Sequence, residues 1–245
     1  MYKRSNYRTI FLKIAILLFI VPSYFSLKAQ NSDNHFISHV INPKVQAIRF
    51  FLKDSAGENI RNFKILKDIL ANNGDSLIFA TNGGMFKPDY SPKGLYIENG
   101  NRLSDIDTVR SGFGNFYMQP NGIFYLRSDN TPGICKTGDF PKNQNIQYAT
   151  QSGPLLLING EIHPMFTEGS SNVYIRNGVG ILPNGHLLFA MSKIEMNSFD
   201  FATFFINHGC QYALYLDGFV SKTYLPAKGF QQTDGEFGVI IGEVK

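Results

Sequence analysis

The sequence predicts an α+β fold: a single domain built on a mixed or antiparallel sheet, with about two main helices. Short apolar runs alternate with Asn-Gly, Pro-Asn-Gly and Asp-Gly turn signals along most of the chain. Only two segments repeat apolar residues at helical spacing, and no linker or repeat interrupts the chain after residue 45. The 245 residues are 43% hydrophobic and 17% charged, which is enough apolar material for one core.

The first thirty residues have the pattern of a secretory signal peptide. Residues 1–29 contain five basic and no acidic residues, and an apolar run over 14–21 ends at Pro22. This run is shorter than the roughly twenty residues that span a bilayer. We expect cleavage near Ala29, a periplasmic or secreted protein, and no stable membrane span after processing. An uncleaved anchor is the alternative, and residues 30–44 are predicted to be a leader before a domain over 45–245.

The positive charge of the chain is confined to its N-terminal segment. The whole sequence has 23 basic and 19 acidic residues, and five of the basic ones lie in residues 1–29. The remaining body is nearly neutral and lacks the basic surface that nucleic acids require. Nucleic acid is therefore excluded as an expected partner.

The first half of the predicted domain contains one helix among strands. Ile60, Phe63, Leu66, Ile69 and Leu70 recur at helical spacing, and Asn-Asn-Gly follows them. Residues 133–145 are predicted to form a loop. Strands are predicted over residues 45–52, 77–81, 95–98, 113–118 and 123–126.

The second half contains the other predicted helix. Ser198 is expected to cap it, Phe201, Phe204 and Phe205 to face the core, and Gly209 to end it. The two cysteines, Cys135 and Cys210, are expected to be unpaired, with a disulfide as the alternative. Strands are predicted over residues 147–150, 155–158, 161–162, 174–181, 187–191, 213–216 and 238–244.

Two glycine-containing clusters lie beside predicted strands. Asn82, Gly83 and Gly84 follow a buried strand, and Ser152 and Gly153 precede another. Glycines in such places let backbone N–H groups approach a ligand closely. A plain tight turn is the alternative for the first cluster, and it is the favoured interpretation of that cluster in isolation.

Two charged residues lie in apolar surroundings. Arg176, next to Asn177, needs either a carboxylate or an anionic ligand, because burying an unpaired charge is costly. Asp217 and Gly218 follow an apolar strand, with Ser221 just beyond, so this carboxylate is either a turn residue or a catalytic group.

No cofactor is predicted. The five histidines are scattered, and the sequence has no HExxH, GxSxG, Walker or GxGxxG motif. A pocket of acid and amide oxygens could hold a divalent cation, but no spacing demands one.

Taken together, these segments resemble the phosphodiester glycosidase family, with its lysosomal uncovering-enzyme-like domain, and within it an exported bacterial subgroup. The resemblance runs from about residue 45 to residue 245. It departs from the family pattern at Phe219, Val220 and Lys222, where glycines and paired serines are usual. The matching segments are residues 82–86, 152–156, 176–180 and 216–218 with Ser221, and for the subgroup 92–98, 114–116, 120–122 and 148–151.

The resemblance implies a hydrolase that cleaves the glycosidic bond of a sugar-1-phosphodiester in a small molecule or glycan. It implies that Arg176 binds the phosphate, that Asp217 is the base or nucleophile, and that Glu98 is a reserve second carboxylate. The implied substrate-binding residues are Asn82, Gly83, Gly84, Ser152, Gly153, Asn177, Gly218 and Ser221. Two alternatives stay open: an envelope protein that binds glycan phosphates without catalysis, and a structural protein whose Asn-Gly and Asp-Gly pairs are only turns.

Overall fold

The computed structural model describes residues 34–141 and 145–245. Within these residues the chain forms sixteen strands in three sheets and two α-helices, which confirms the predicted α+β class. The helices are α1 (Phe63–Asn72) and α2 (Ser198–Asn207). The strands are β1 (Phe36–Ile41), β2 (Ala47–Phe51), β3 (Leu77–Asn82), β4 (Tyr96–Glu98), β5 (Asn101–Ser104), β6 (Gly122–Arg127), β7 (Pro132–Lys136), β8 (Ile146–Ser152), β9 (Leu155–Ile158), β10 (Glu161–Ile162), β11 (Asn177–Ile181), β12 (Leu187–Ser192), β13 (Ala213–Asp217), β14 (Thr223–Leu225), β15 (Phe230–Gln231) and β16 (Ile240–Val244).

The strand pairs recorded among the described residues are antiparallel, which selects one of the two sheet types that the sequence allows. The first sheet has the order β1-β12-β11-β13-β9-β10, the second β15-β14-β3-β16-β2, and the third β5-β4-β8-β6-β7. Their apolar faces meet in one core, because Phe79 of the second sheet packs on Phe189 of the first at 5.2 Å between ring centroids. Phe124 of the third sheet contacts Phe50 of the second at 5.6 Å.

Both helices begin at asparagine caps. The side chain of Asn62 accepts a hydrogen bond from the N–H of Ile65 at 2.9 Å, and α1 then buries its apolar stripe. The cap of α2 is Asn197, which accepts from the N–H of Asp200 at 2.9 Å. Ser198, the predicted cap, is the first residue of the helix instead, because Asn197 already satisfies the free N–H groups.

Two predicted segments differ from the structure. Residues 113–118 do not form a strand: only Phe116 among their aromatic residues is buried, and a short 3-10 helix spans Asn115–Tyr117. The predicted loop over 133–145 overlaps β7, an edge strand paired with β6. Its Pro132 and Gly133 conceal the strand in the sequence, since both residues are tolerated at a sheet edge.

The first strand among the described residues begins at Phe36, within the predicted leader segment. Residues Phe36–Ile41 form β1, which pairs with β12 over six residue pairs. The predicted signal peptide over 1–29 and the cleavage site near Ala29 lie outside the described residues. Neither helix in the described part of the chain has the length and hydropathy needed to cross a membrane.

Gly84 provides a test of how closely the second and third sheets approach each other. A Cβ at this position would overlap Thr150 Oγ1 and the carbonyl oxygen of Gln151. We expect Gly84→Ala to lower the free energy of unfolding by about 2 kcal/mol, measured by urea denaturation. Gly138→Ala is the matched control, because a Cβ there meets nothing within 4 Å. Equal stability of the two variants would contradict this packing.

Candidate active site

Asp217 ends β13, where the chain leaves the first sheet through Gly218. The strand is buried along its whole length, and Asp217 is 6% exposed. Its Oδ1 accepts hydrogen bonds from the N–H groups of Gly218 at 2.6 Å and Phe219 at 2.8 Å. Burial raises the pKa of the Asp217 carboxyl, and these backbone N–H groups oppose the rise. The loop therefore fixes one carboxylate oxygen, whereas Oδ2 carries no recorded hydrogen bond from the described residues.

The side-chain amide of Asn177 joins the strand ends around this carboxylate. Its Nδ2 donates to Thr81 Oγ1 and to the Asn82 carbonyl oxygen, both at 2.8 Å. Its Oδ1 accepts from the Asp217 N–H at 2.8 Å and from Ser221 Oγ at 3.3 Å. Asn177 is 1% exposed, so its role in the structure is to connect β3, β11 and the loop after β13.

Asn82 presents an unused donor beside the same carboxylate. Its Oδ1 accepts from the N–H of Lys222 at 2.9 Å and from Asn177 Nδ2 at 3.0 Å. Its own Nδ2 is buried and has no hydrogen-bond partner among the described residues. Burial raises the pKa of Asp217, and the Asn82 side chain is among the groups that oppose this rise. Such an unsatisfied buried donor is a natural contact for a ligand.

Arg176, which is expected to bind a phosphate, has its guanidinium enclosed by protein groups instead of open to solvent. Its guanidinium is fully buried and donates to the Met196 carbonyl at 2.7 Å, to the Tyr215 hydroxyl at 3.0 Å, and to Asn172 at 2.8 and 2.9 Å. Protein oxygens occupy its planar fork. Arg176 is therefore a positioning residue, because it fixes Asn172 and Tyr215.

A cleft of about 530 Å³ opens at Asp217. Two lysines line it, Lys87 and Lys93, and neither ammonium group forms a salt bridge with the residues that the structure describes. The Nζ of Lys93 lies 5.1 Å from the ring centroid of Phe116 and 4.4 Å from that of Tyr117, which orients it. Asn115, Asn172 and Tyr174 also line the cleft.

The predicted serines and glycines form the framework of the site. Ser152 Oγ donates to the Leu216 carbonyl at 2.9 Å, and Ser221 Oγ donates to the Asp217 carbonyl at 3.0 Å. The N–H of Gly83 is bonded to the Val239 carbonyl at 2.8 Å, so it is not free for an anion. Gly84 and Gly153 pack against neighbouring segments, and only Asp217 and Gly218 of the predicted residues line the cleft.

Glu98 lies outside this site. It accepts a hydrogen bond from the Tyr96 hydroxyl at 2.5 Å, and burial raises its pKa. The cleft lining does not include it, so the cleft contains one carboxylate instead of the predicted pair. A larger cleft of about 730 Å³, beside residues 107–110 and 136–139, contains none of the predicted site residues.

Some lining residues without a predicted role carry a signal in the sequence. Lys93 and Asn115 belong to the segments 92–98 and 114–116 that carry the subgroup resemblance. Lys87, Asn172 and Tyr174 carry no motif and become visible only when the chain is folded. Lys222 stands where the family pattern has a serine. Its Nζ forms a salt bridge with Asp234 Oδ2 at 2.9 Å.

No group of three or more His, Cys, Asp or Glu side chains within residues 34–141 and 145–245 is arranged to hold a metal ion. Cys135 and Cys210 are free thiols in separate parts of the fold.

Residues 75–238 match the family model described as phosphodiester glycosidase. The chain belongs to the phosphodiester glycosidase family, which confirms the resemblance that its motifs predict. This membership supports a related hydrolase function.

Individual relatives agree with this assignment. The chain is 32% identical over 222 residues to the uncharacterized protein YigE of Escherichia coli (strain K12), covering 90% of this chain and 86% of that one. The solved catalytic domain of zebrafish N-acetylglucosamine-1-phosphodiester alpha-N-acetylglucosaminidase superposes with a TM-score of 0.58 at 15% identity, covering 85% of this chain and 83% of that domain. A Burkholderia pseudomallei protein described as exported gives a TM-score of 0.54 at 10% identity, covering 85% and 73%. These structural likenesses show a shared fold.

The raised pKa of Asp217 predicts how stability varies with pH. Burial raises the pKa of Asp217 in the folded state. The contribution of this carboxyl to the free energy of unfolding is therefore lost as pH rises from about 4, near the unfolded pKa, through the folded pKa. Asp217→Asn keeps an oxygen for the loop N–H groups and removes the ionisation. We expect its Tm, relative to wild type, to increase between pH 4 and pH 7 in calorimetry; a relative decrease would contradict the raised pKa.

Proposed function

We propose that the Asp217 cleft is the active site of an exported phosphodiester glycosidase that hydrolyses the glycosidic bond of a sugar-1-phosphodiester. The observation that carries this proposal is the meeting, in one cleft, of a buried carboxylate with two lysines that lack salt-bridge partners among the described residues. The zebrafish structure, named as a glycosidase of an N-acetylglucosamine-1-phosphodiester, supports the substrate class.

The lysines take the phosphate-binding role that the sequence suggested for Arg176. Lys93 is held over two aromatic rings, so its ammonium is already oriented when an anion enters the cleft. Lys87 contributes a second positive charge from a neighbouring segment of the lining. The phosphodiester, with one negative charge, is therefore attracted to the cleft despite the carboxylate.

Asp217 is suited to act as the general base. Its Oδ2 accepts a proton from water while the water oxygen bonds to the anomeric carbon and the bond to the phosphate oxygen breaks. The phosphomonoester leaves with the electron pair of that bond. Phosphate is a good leaving group, so a second carboxylate is dispensable, which agrees with the position of Glu98 outside the cleft. Direct attack by the same oxygen is the other role open to Asp217.

The unpaired amide N–H of Asn82 binds a sugar hydroxyl or a phosphate oxygen next to Asp217. Asn115 and Asn172 supply further polar contacts from the lining. Arg176 supports this side of the cleft, because it donates hydrogen bonds to Asn172 and to the Tyr215 hydroxyl.

Export is part of the proposal. The basic and apolar pattern of residues 1–29 supports a cleavable signal peptide, and an exported neighbour shares the fold. We propose that the domain acts in the periplasm or after secretion, on a glycan or a small molecule and not on a nucleic acid.

Replacing Asp217 tests the chemistry. We expect Asp217→Asn to lower kcat for sugar-1-phosphodiesters about a thousandfold, measured as release of the free sugar. Asp105→Asn is the control, because Asp105 is an exposed acid outside the cleft. Turnover at the wild-type rate in Asp217→Asn would remove this residue from the mechanism. Binding without turnover in the wild type would favour the glycan-phosphate binding protein instead.

Replacing Lys93 tests the phosphate contact. We expect Lys93→Ala to raise KM for a sugar-1-phosphodiester about tenfold and to leave the weak reaction with a neutral aryl glycoside unaffected. Lys67→Ala on the exposed side of α1 is the control for general loss of positive charge. Equal effects on the charged and the neutral substrate would refute phosphate binding by Lys93.

A further inference from the structure

We infer that the group esterified to the phosphate on the far side from the sugar is apolar, an alkyl or comparable lipid alcohol. The inference rests on the proposed function and names the substrate class of the same cleft. It comes from the part of the lining that neither the carboxylate nor the lysines explain.

The apolar part of the cleft is formed by six side chains. They come from the segment 85–88, from the loop after Asp217, and from the segment before the 3-10 helix: Met85, Phe86, Pro88, Phe113, Phe219 and Val220. Phe86 and Val220 pack against the same hydrophobic cluster, so the first two segments are anchored on one part of the core. The apolar part of the lining adjoins Asp217 directly, because Phe219 and Val220 follow it in the chain.

Two of these phenylalanines are exposed to an unusual degree. Phe113 is 99% exposed and Phe219 is 92% exposed. Leaving large aromatic side chains in water forgoes the stabilisation that their burial would give, and such exposure around a cleft marks a ligand surface. The side chains of Phe113 and Phe219 thus remain available to contact a ligand that enters.

The chemistry of the lining separates the two sides of the substrate. Asn115 and Asn172 of the lining can hydrogen-bond the hydroxyl groups of one sugar. A second sugar against the phenylalanines would leave its hydroxyl groups without partners, whereas an alkyl chain there buries apolar surface at no such cost. Lys87 stands between Phe86 and Pro88, so a cation for the phosphate adjoins the apolar surface. A charged head joined to an apolar tail matches this arrangement.

Binding of sugar-free diesters tests the inference apart from catalysis. Calorimetric titration of the full chain with dimethyl phosphate and with methyl octyl phosphate should show about tenfold tighter binding of the octyl compound. Phe219→Ser and Phe113→Ser should each reduce that ratio several-fold. Met165→Ser is the matched control, because Met165 is 63% exposed and outside the cleft lining.

Hydrolysis gives the second readout. The kcat/KM for an octyl sugar-1-phosphodiester should exceed that for the methyl compound about tenfold, and Phe219→Ser should remove the difference. Equal affinity and equal kcat/KM for methyl and octyl compounds would overturn the apolar aglycone while leaving the glycosidase proposal in place. Tighter octyl binding that depends on Phe219, without any hydrolysis, would support the apolar site and refute the glycosidase instead. If neither phenylalanine variant changed the preference for the octyl compound, the octyl chain would bind elsewhere and the inference would be overturned.

Discussion

The side-chain amide of Asn177 holds the site together. It contacts β3 through Thr81 and Asn82, and the loop after β13 through Asp217 and Ser221. Strand β3 belongs to the second sheet and β13 to the first, so one buried amide aligns the ends of strands from two sheets. Because each of its polar atoms is satisfied, removing it would leave several buried donors and acceptors without partners. The position of the Asp217 carboxylate, and of the Asn82 donor beside it, follows from this network.

Charge in the site is divided between a buried and an accessible layer. The guanidinium of Arg176 is surrounded by protein oxygens, and it contacts the cleft lining through Asn172 and the ring of Tyr174. Lys87 and Lys93 provide the positive charge that a solute meets. A buried arginine is rigid and geometrically exact in its hydrogen bonds, whereas lysine is a mobile point charge. The arginine therefore lies inside the wall, and the two lysines lie on the surface of the cleft.

The sequence predicts the fold class, most strands and both helices, because apolar periodicity and turn residues are local signals. It also points to the segments that meet around Asp217. The sequence does not show that Lys93 lines the cleft while Arg176 is buried. The exposure of each cation depends on which oxygen atoms lie beside it in the folded chain. Glu98 shows the same limit: a strand-end acid looks similar in sequence whether it faces a cleft or, as here, binds Tyr96.

The pairing of distant segments affects how this domain becomes folded. Residues 240–244 lie between β2 and β3, and β1 pairs with residues 187–192. Neither sheet can be completed from contiguous hairpins, so closing these long loops precedes much of the stabilising contact. A newly made chain would spend longer as an open, pairing-competent intermediate than a helical protein of equal length. During that delay the unpaired strand edges could associate with other chains, so chaperone protection of the unfolded polypeptide would be valuable.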